Sequence, residues 1–335
     1  MAKPLRFRVS REQWSERRVR REILQPLQTN IGAQSAPLRA SIPSTYTSFR
    51  FEMTNGDLAV FTFDDKTGYW MGNTETPRVL WRTDKHGWDD VPYPVSRWAQ
   101  REFLDTLHDR APWLAEYPHL SWFFLPVFMS KDGRHSTRRF FREYAAGFPD
   151  TDWRTAVDLI ENLLHPGILD PYREVMAGKL GTSKHVDRTR MSAAISEFLA
   201  ADLLSRADYE IRPEIEVSTG HAIDFRASNA THTTLVEVTR PTNPRRRSVS
   251  KAVDAIQETI ETKTAGQLSE HGGGVVLFVD CSGFDDAQWE AILEHRPEVG
   301  HRPTVVYRVR PNGPTRGYRL GRVPLDLTDV IAFET

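Results

Sequence analysis

The second half of the chain alternates helix-like and strand-like hydrophobic patterns in a clear order. Residues 191–204 carry apolar side chains at helical spacing, and three strand patterns with alternating apolar residues follow. A long helical pattern and one more apolar strand complete the series. The predicted order is helix, three strands, helix, strand, with YEIRPEIEV, HAIDFRAS and TTLVEVT as the three strands, SVSKAVDAIQETIETKTAGQLSE as the long helix and GVVLFVD as the last strand.

The first half mixes both patterns. Alternating runs on either side of Asn55-Gly56 predict a hairpin, because Asn-Gly supplies the positive φ angles of a tight turn. Helices are predicted over 96–110, 136–146 and 151–164. The run WFFLPVFM fits either a buried strand or a helix broken at Pro126. Near the end of the chain, TVVYRVR and GYRLG predict another hairpin, which would extend the sheet of the second half.

At 335 residues the chain exceeds the usual size of one hydrophobic core, so we expect two domains. The small-residue segment AGKLGTSK lacks apolar periodicity and is the candidate junction. We expect an Arg- and Trp-rich α+β accessory domain over 1–181 and a second domain over 182–335. The chain lacks the roughly 20 consecutive apolar residues of a membrane-spanning helix. With one cysteine and no secretory signal, a cytoplasmic location is expected.

The net charge is −1, so binding to nucleic acid would have to come from local patches. One candidate is the loop RPTNPRRRS, which precedes the long helix and contains Arg240, Arg245, Arg246 and Arg247. Its charges and the following helix N-terminus favour phosphate, although a merely solvated loop is equally consistent with the residues. The abundant tryptophans favour a core, and an exposed subset would suit stacking on bases.

Acidic residues stand out in two of the predicted strands. Asp is depleted in strands, so the presence of Asp224 within HAIDFRAS requires a reason. Within TTLVEVT, Glu237 lies on the face of the strand opposite to its valine neighbours. If the strands pair, the two carboxylates converge and need a cation or proton between them. Mg²⁺ or Mn²⁺ would relieve the repulsion between the two carboxylates, and the Thr239 carbonyl would be a further oxygen donor to the ion. Glu197 lies off the apolar stripe of its helix among alanines, where a ligand can approach it.

A lysine interrupts the apolar stripe of the long helix. Val253, Ile256 and Ile260 define that stripe, and the same spacing reaches Lys263 and Gln267. A lysine at the edge of an inward face either extends its charge to water or meets an anion. The anion here would be the carboxylate pair or a phosphate.

This order of elements resembles the PD-(D/E)xK nuclease superfamily over 187–280. The resemblance implies a restriction-endonuclease-like core whose site is formed by Glu197, Asp224 and Glu237. Thr239 occupies the place of the usual lysine. Some members carry that lysine on the following helix, which would point to Lys263, with Gln267 one turn further on, and others have lost the site. The resemblance therefore implies either a metal-dependent active site or a degenerate scaffold.

The whole chain also resembles a family of uncharacterised haloarchaeal proteins, through ILQPLQTNIGA, YWMGNTETP, MAGKLGTS, IDF, LVEVTRP and HGGGVVLFVDCS. The scarcity of lysine agrees with that resemblance, and the near-neutral charge departs from the acidic surfaces of salt-adapted proteins. This second resemblance implies no particular function.

The function we predict is Mg²⁺-dependent hydrolysis of phosphodiester bonds in DNA or RNA. The sequence is compatible with a homodimer. Two alternatives stay open. One is a non-catalytic nucleic-acid-binding or assembly protein on a degenerate nuclease scaffold. The other is a structural protein that binds no nucleic acid.

Overall fold

Two β-sheets organise the chain. The computed structural model describes residues 5–181, 183–216, 222–242, 249–264, 268, 274–297 and 300–334. Contacts group the chain into two units, the first formed by Met1–Arg138 with Gly181–His185 and the second by Arg139–Leu180 with Val186–Thr335. One sheet has six strands and the other seven, and helices accompany both. The fold is therefore mixed α+β, as the sequence predicted.

The first unit is built on a sheet of antiparallel strands in the order β2-β3-β4-β5-β1-β6. The predicted hairpin is confirmed, because the two strands that flank Asn55-Gly56 pair with each other and Gly56 takes a φ of +78°. Side chains from the hairpin, including Phe51 and Phe61, pack in a core with Trp70 and Ile23. The strands are β1 Phe7–Ser10, β2 Gln34–Ala36, β3 Thr47–Glu52, β4 Leu58–Phe63, β5 Gly68–Gly72 and β6 Lys85–His86.

The helices of the first unit begin and end at recognisable signals. Ser15 caps the first one by accepting from the Arg18 N–H, and Gly32, at a φ of +65°, ends the second. The run interrupted by Pro126 is a broken helix rather than a strand. The helices are α1 Glu16–Val19, joined through the π-helical Arg20–Leu24 to α2 Gln25–Ile31, then α3 Tyr93–Arg110, α4 Pro118–Phe123 and α5 Leu125–Phe128.

The sheet of the second unit has the order β13-β12-β11-β10-β9-β8-β7. β7, β8 and β9 are antiparallel neighbours, whereas β9, β10 and β11 run parallel. The predicted hairpin near the end of the chain is present as the antiparallel pair β11–β12. The strands are β7 Glu210–Glu216, β8 Ala222–Ser228, β9 Thr233–Thr239, β10 Val275–Asp280, β11 Thr304–Arg308, β12 Arg316–Leu320 and β13 Ala332–Phe333.

Helices precede, connect and follow these strands. The series α9, β7, β8, β9, α10, β10 has the predicted order of helix, three strands, helix, strand. α10 connects the parallel strands β9 and β10, and its Ile256 and Ile260 pack with Leu277 in the core. The helices are α6 Arg134–Glu143, in which the chain passes between units, α7 Trp153–Leu164, α8 Arg173–Lys179, α9 Arg188–Arg206, α10 Val249–Lys263 and α11 Asp286–His295.

The grouping of the chain differs from the division predicted at 181/182. Residues 139–180 belong to the second unit, and residues 181–185 belong to the first. The reason is that α7 and α8 pack against α9, the first helix of the predicted second domain. The composition of the small-residue segment carries no information on which unit the preceding helices join.

Among the described residues, no helix has both the length and the apolar character needed to cross a bilayer.

Candidate metal centre

Three carboxylates and one ammonium group meet in the second unit. Glu197 comes from α9, Glu214 from β7 and Asp224 from β8. The Lys179 Nζ forms ion pairs with Glu197 Oε2 and Glu214 Oε1, and lies 3.5 Å from Asp224 Oδ1. One oxygen of each carboxylate lies within 4.8 Å of the others. We call these four residues the acidic cluster.

Strand register brings two of the carboxylates together. Pro213 pairs with Phe225 in the antiparallel β7–β8 ladder, so the next positions, Glu214 and Asp224, lie opposite each other. Glu214 has a φ of +53°, in the left-handed region that residues other than glycine seldom adopt. Surrounding contacts must hold such a backbone, and strained residues of this kind concentrate at functional sites.

A second ion pair lies next to the acidic cluster. Lys263 Nζ donates to Glu237 Oε1 at 2.6 Å, and the Glu237 side chain is only 2% exposed. Its other oxygen, Oε2, is buried and has no hydrogen-bond partner among the described residues. The Val238 N–H donates to Asp224 Oδ2 at 2.9 Å, which links β9 directly to the acidic cluster. A buried carboxylate oxygen without a donor is uncommon and marks a position where a cation or water is needed.

The carboxylates have unusual proton affinities. Burial, followed by the charge of Asp224, raises the pKa of Glu197 to about 8. Burial and Asp224 likewise raise the pKa of Glu237, against the opposing effect of Lys263. Burial on its own would lower the pKa of Lys179, but Glu197 and Asp224 outweigh it and raise that pKa. The raised pKa of Glu197 favours its protonated form, which would relieve part of the excess negative charge.

These residues fit a divalent metal ion. The donors are carboxylate oxygens, which Mg²⁺ and Mn²⁺ prefer over nitrogen or sulfur ligands. Three carboxylates surround a single ammonium, so the acidic cluster carries more negative than positive charge. The raised pKa of Glu197 and the unpartnered Oε2 of Glu237 both indicate that the site favours further positive charge.

The structure brings together part of the predicted site. Glu197 and Asp224 lie in the acidic cluster, while Glu237 and Lys263 form the neighbouring pair. Thr239 is buried and pairs with Val279 of β10 in the parallel ladder. The roles assigned to these five residues stay predictions. Four other predicted residues lie outside the described residues, namely Gln267, Arg245, Arg246 and Arg247.

Arg240 has a different environment from the one predicted. It was expected to contact phosphate in an open loop, but its side chain is only 4% exposed. The guanidinium donates to the Gly147 carbonyl at 2.8 Å and the Ser192 carbonyl at 3.2 Å, and lies 3.4 Å from Asp280 Oδ2. Asp280 is fully buried and also accepts from the Ser196 hydroxyl. Arg240 therefore neutralises a buried acid, and its contact with phosphate stays a prediction.

Sequence reasoning missed two members of the acidic cluster. Lys179 lies in the small-residue segment that was interpreted only as a junction, and nothing in that segment indicates the distant carboxylates. Glu214 belongs to a strand that also contains Glu210 and Glu216, and such a series is typical of a solvated strand face. Its one distinguishing signal is the preceding Pro213, which is unusual within a strand.

Fold and site together define a two-unit α+β protein that carries a partly exposed carboxylate and lysine centre in its second unit. The chain belongs to the family described as Family of unknown function (DUF5784), whose family model matches residues 2–327. No curated protein and no solved structure matches the chain.

Proposed function

We propose that this protein is a Mg²⁺- or Mn²⁺-dependent nuclease that hydrolyses phosphodiester bonds, with the acidic cluster as its metal centre. The observation that supports the proposal is the convergence of Glu197, Glu214 and Asp224 around one ammonium group, with oxygens within 4.8 Å of one another. Close carboxylates repel each other unless a cation or proton lies between them. The order of elements around the site, which resembles that of PD-(D/E)xK nucleases, supports the same class of reaction.

Each residue has a proposed task. Asp224 and Glu197 would hold the metal ion, with Glu214 from the edge of the sheet as the third carboxylate. A bound divalent ion lowers the pKa of water and stabilises negative charge on a phosphodiester. Lys263, held by Glu237, would orient the attacking water or stabilise charge at the phosphate. Lys179 offers a second ammonium, which sequence reasoning did not identify.

The test is cleavage of labelled single- and double-stranded DNA and RNA by the wild type and Asp224→Asn, with Mg²⁺, Mn²⁺ or EDTA. We expect cutting by the wild type that needs a divalent ion. Asp224→Asn should reduce it about 10²-fold or more, because removing several kcal/mol of charge stabilisation has that effect on a rate. Asp254→Asn is the matched control, since Asp254 is exposed on α10, and it should cut normally.

Calorimetric titration with Mn²⁺ separates loss of the metal ion from loss of folding. Asp224→Asn should melt as a folded protein and bind Mn²⁺ more weakly than the wild type. Wild-type protein that binds no Mn²⁺ and cuts none of the four substrates would refute the proposal.

The second candidate is a non-catalytic nucleic-acid-binding protein on the same scaffold. It is favoured by Thr239 at the position where PD-(D/E)xK nucleases carry lysine, and by the partial neutralisation of the carboxylates by Lys179. In that case the protein retains nucleic acid equally well in EDTA, and Asp224→Asn leaves retention unchanged.

A further inference from the structure

The first unit contains a small basic cavity that is separate from the acidic cluster. Its volume is about 110 Å³, and four of its lining residues are cationic. No acidic residue lines it among the described residues. A concave site lined by charges of one sign concentrates ions of the opposite sign. The cationic residues are Arg6, Arg8, Lys85 and Lys131.

A buried amide supplies a second and independent indication of a ligand. Asn73 lines this cavity and is only 3% exposed. Its Oδ1 accepts from the Leu58 N–H at 2.7 Å, which fixes the orientation of the amide. The Nδ2 donor is buried and has no hydrogen-bond partner among the described residues. The Thr74 hydroxyl, which also lines the cavity, is likewise buried without a partner among them. Buried donors normally have partners, so these two point to an acceptor that binds in the cavity.

Arg8 is held in place without an acidic partner in any hydrogen bond described for it. Its Nη1 donates to the Thr83 carbonyl at 2.7 Å and to the Leu80 carbonyl at 3.2 Å. Burial lowers the pKa of Arg8. A guanidinium has five N–H donors, so these bonds to carbonyls leave capacity for an oxyanion.

An exposed indole lies beside this cavity. Trp81 is 59% exposed, whereas Trp70, Trp88 and Trp98 are almost fully buried. The Trp81 indole N–H donates to the carbonyl of Thr76, a lining residue, at 2.5 Å. An immobilised aromatic face next to cationic residues is the combination that binds a base and its phosphate.

We propose that this cavity binds the phosphate of a nucleotide, with the Asn73 amide and the Thr74 hydroxyl as donors, the basic side chains as counter-charges and Trp81 as the stacking surface for the base. The nucleotide is either part of a nucleic-acid strand or free, because the phosphate chemistry is the same in both. The site lies in the first unit and does not depend on the proposed nuclease activity.

The test is binding to the full chain, in EDTA, of three probes: inorganic phosphate, AMP and a labelled twelve-nucleotide oligo(dT). Asn73→Asp keeps the acceptor for Leu58 and replaces the donor with a carboxylate oxygen, so it should weaken all three at least tenfold. Lys131→Gln should weaken oligonucleotide binding and reduce the slope of the logarithm of affinity against the logarithm of salt concentration by about one. Trp81→Ala should weaken AMP and oligonucleotide but leave inorganic phosphate unchanged.

Matched controls are Lys66→Gln and Tyr93→Ala, which remove another lysine and another exposed aromatic from the first unit and should bind as the wild type does. Lys131 is exposed, so Lys131→Gln keeps the test decisive if Asn73→Asp does not fold.

A wild type that binds none of the probes would overturn the proposal, as would variants that all bind like the wild type. Binding of inorganic phosphate alone would overturn the assignment to a nucleotide. Preference for AMP identifies a free nucleotide, and preference for the oligonucleotide identifies a strand.

Discussion

At the scale of single residues, the raised pKa of Glu197 has a measurable consequence for stability. Its pKa rises from 4.5 to about 8 on folding, so between these pH values the folded state holds a proton that the unfolded state has lost. The free energy of unfolding must therefore fall as pH rises through this window, by up to about 1.4 kcal/mol per pH unit. Glu197→Gln should reduce this slope in urea denaturation with EDTA present.

The matched control for that measurement is Glu258→Gln, because Glu258 is exposed on α10. It should keep the wild-type slope. Lys179 titrates above 10.5 and does not contribute in this window. An unchanged slope in Glu197→Gln would mean that Glu197 is ionised at neutral pH.

Lys179 and a divalent ion would compete for the same oxygens. The Lys179 ammonium contacts Glu197 and Glu214 and lies close to Asp224, whereas Lys263 pairs with the neighbouring Glu237. Removing a unit charge a few ångströms from a cation site changes binding by a few kcal/mol at an effective dielectric constant of about 20. We therefore expect Lys179→Met to tighten Mn²⁺ binding in calorimetry by about tenfold or more, and Lys263→Met to have a smaller effect.

Equal Mn²⁺ affinity in Lys179→Met and the wild type would show that metal ions do not bind among these carboxylates.

At the scale of elements, the Arg240–Asp280 contact connects the end of β9 with the end of β10. Both side chains are buried, so Arg240→Ala leaves Asp280 without its counter-charge and should destabilise the protein by about 3–5 kcal/mol. Chemical denaturation measures the loss. Arg226→Ala removes an exposed arginine from β8 and should be nearly neutral. A stable Arg240→Ala protein with weakened nucleic-acid binding would instead support the role predicted from sequence.

The elements were more predictable than the site. Alternation and a turn signal are local, so the hairpin at Asn55-Gly56 and the order from α9 to β10 could be predicted from short stretches of sequence. Asp224 was noticeable because aspartate is unusual in a strand. Lys179 could not be predicted, because its role depends on how α8 packs against α9, and local sequence does not encode that packing. For the same reason the burial of the Arg240 side chain was not predicted, because its partner Asp280 lies forty residues further along the chain.

At the scale of the whole molecule, a net charge of −1 conceals two local sites of opposite sign. The second unit contains the acidic cluster, and the first contains a cavity lined by four cationic residues. Salt should weaken binding at the cationic cavity, and chelation should affect only the carboxylates. The two proposals can therefore be tested in one protein by varying salt and EDTA separately.

The position of Lys179 also matters for anyone who divides the chain. A fragment that begins at residue 182, where composition suggests a boundary, keeps Glu197, Glu214 and Asp224 and discards the ammonium that lies among them. Such a fragment also lacks α7 and α8, and acid or an added divalent ion should stabilise it more than it stabilises the intact chain. Its dependence on metal would then result from where it was cut, and would say nothing about how the intact chain folds.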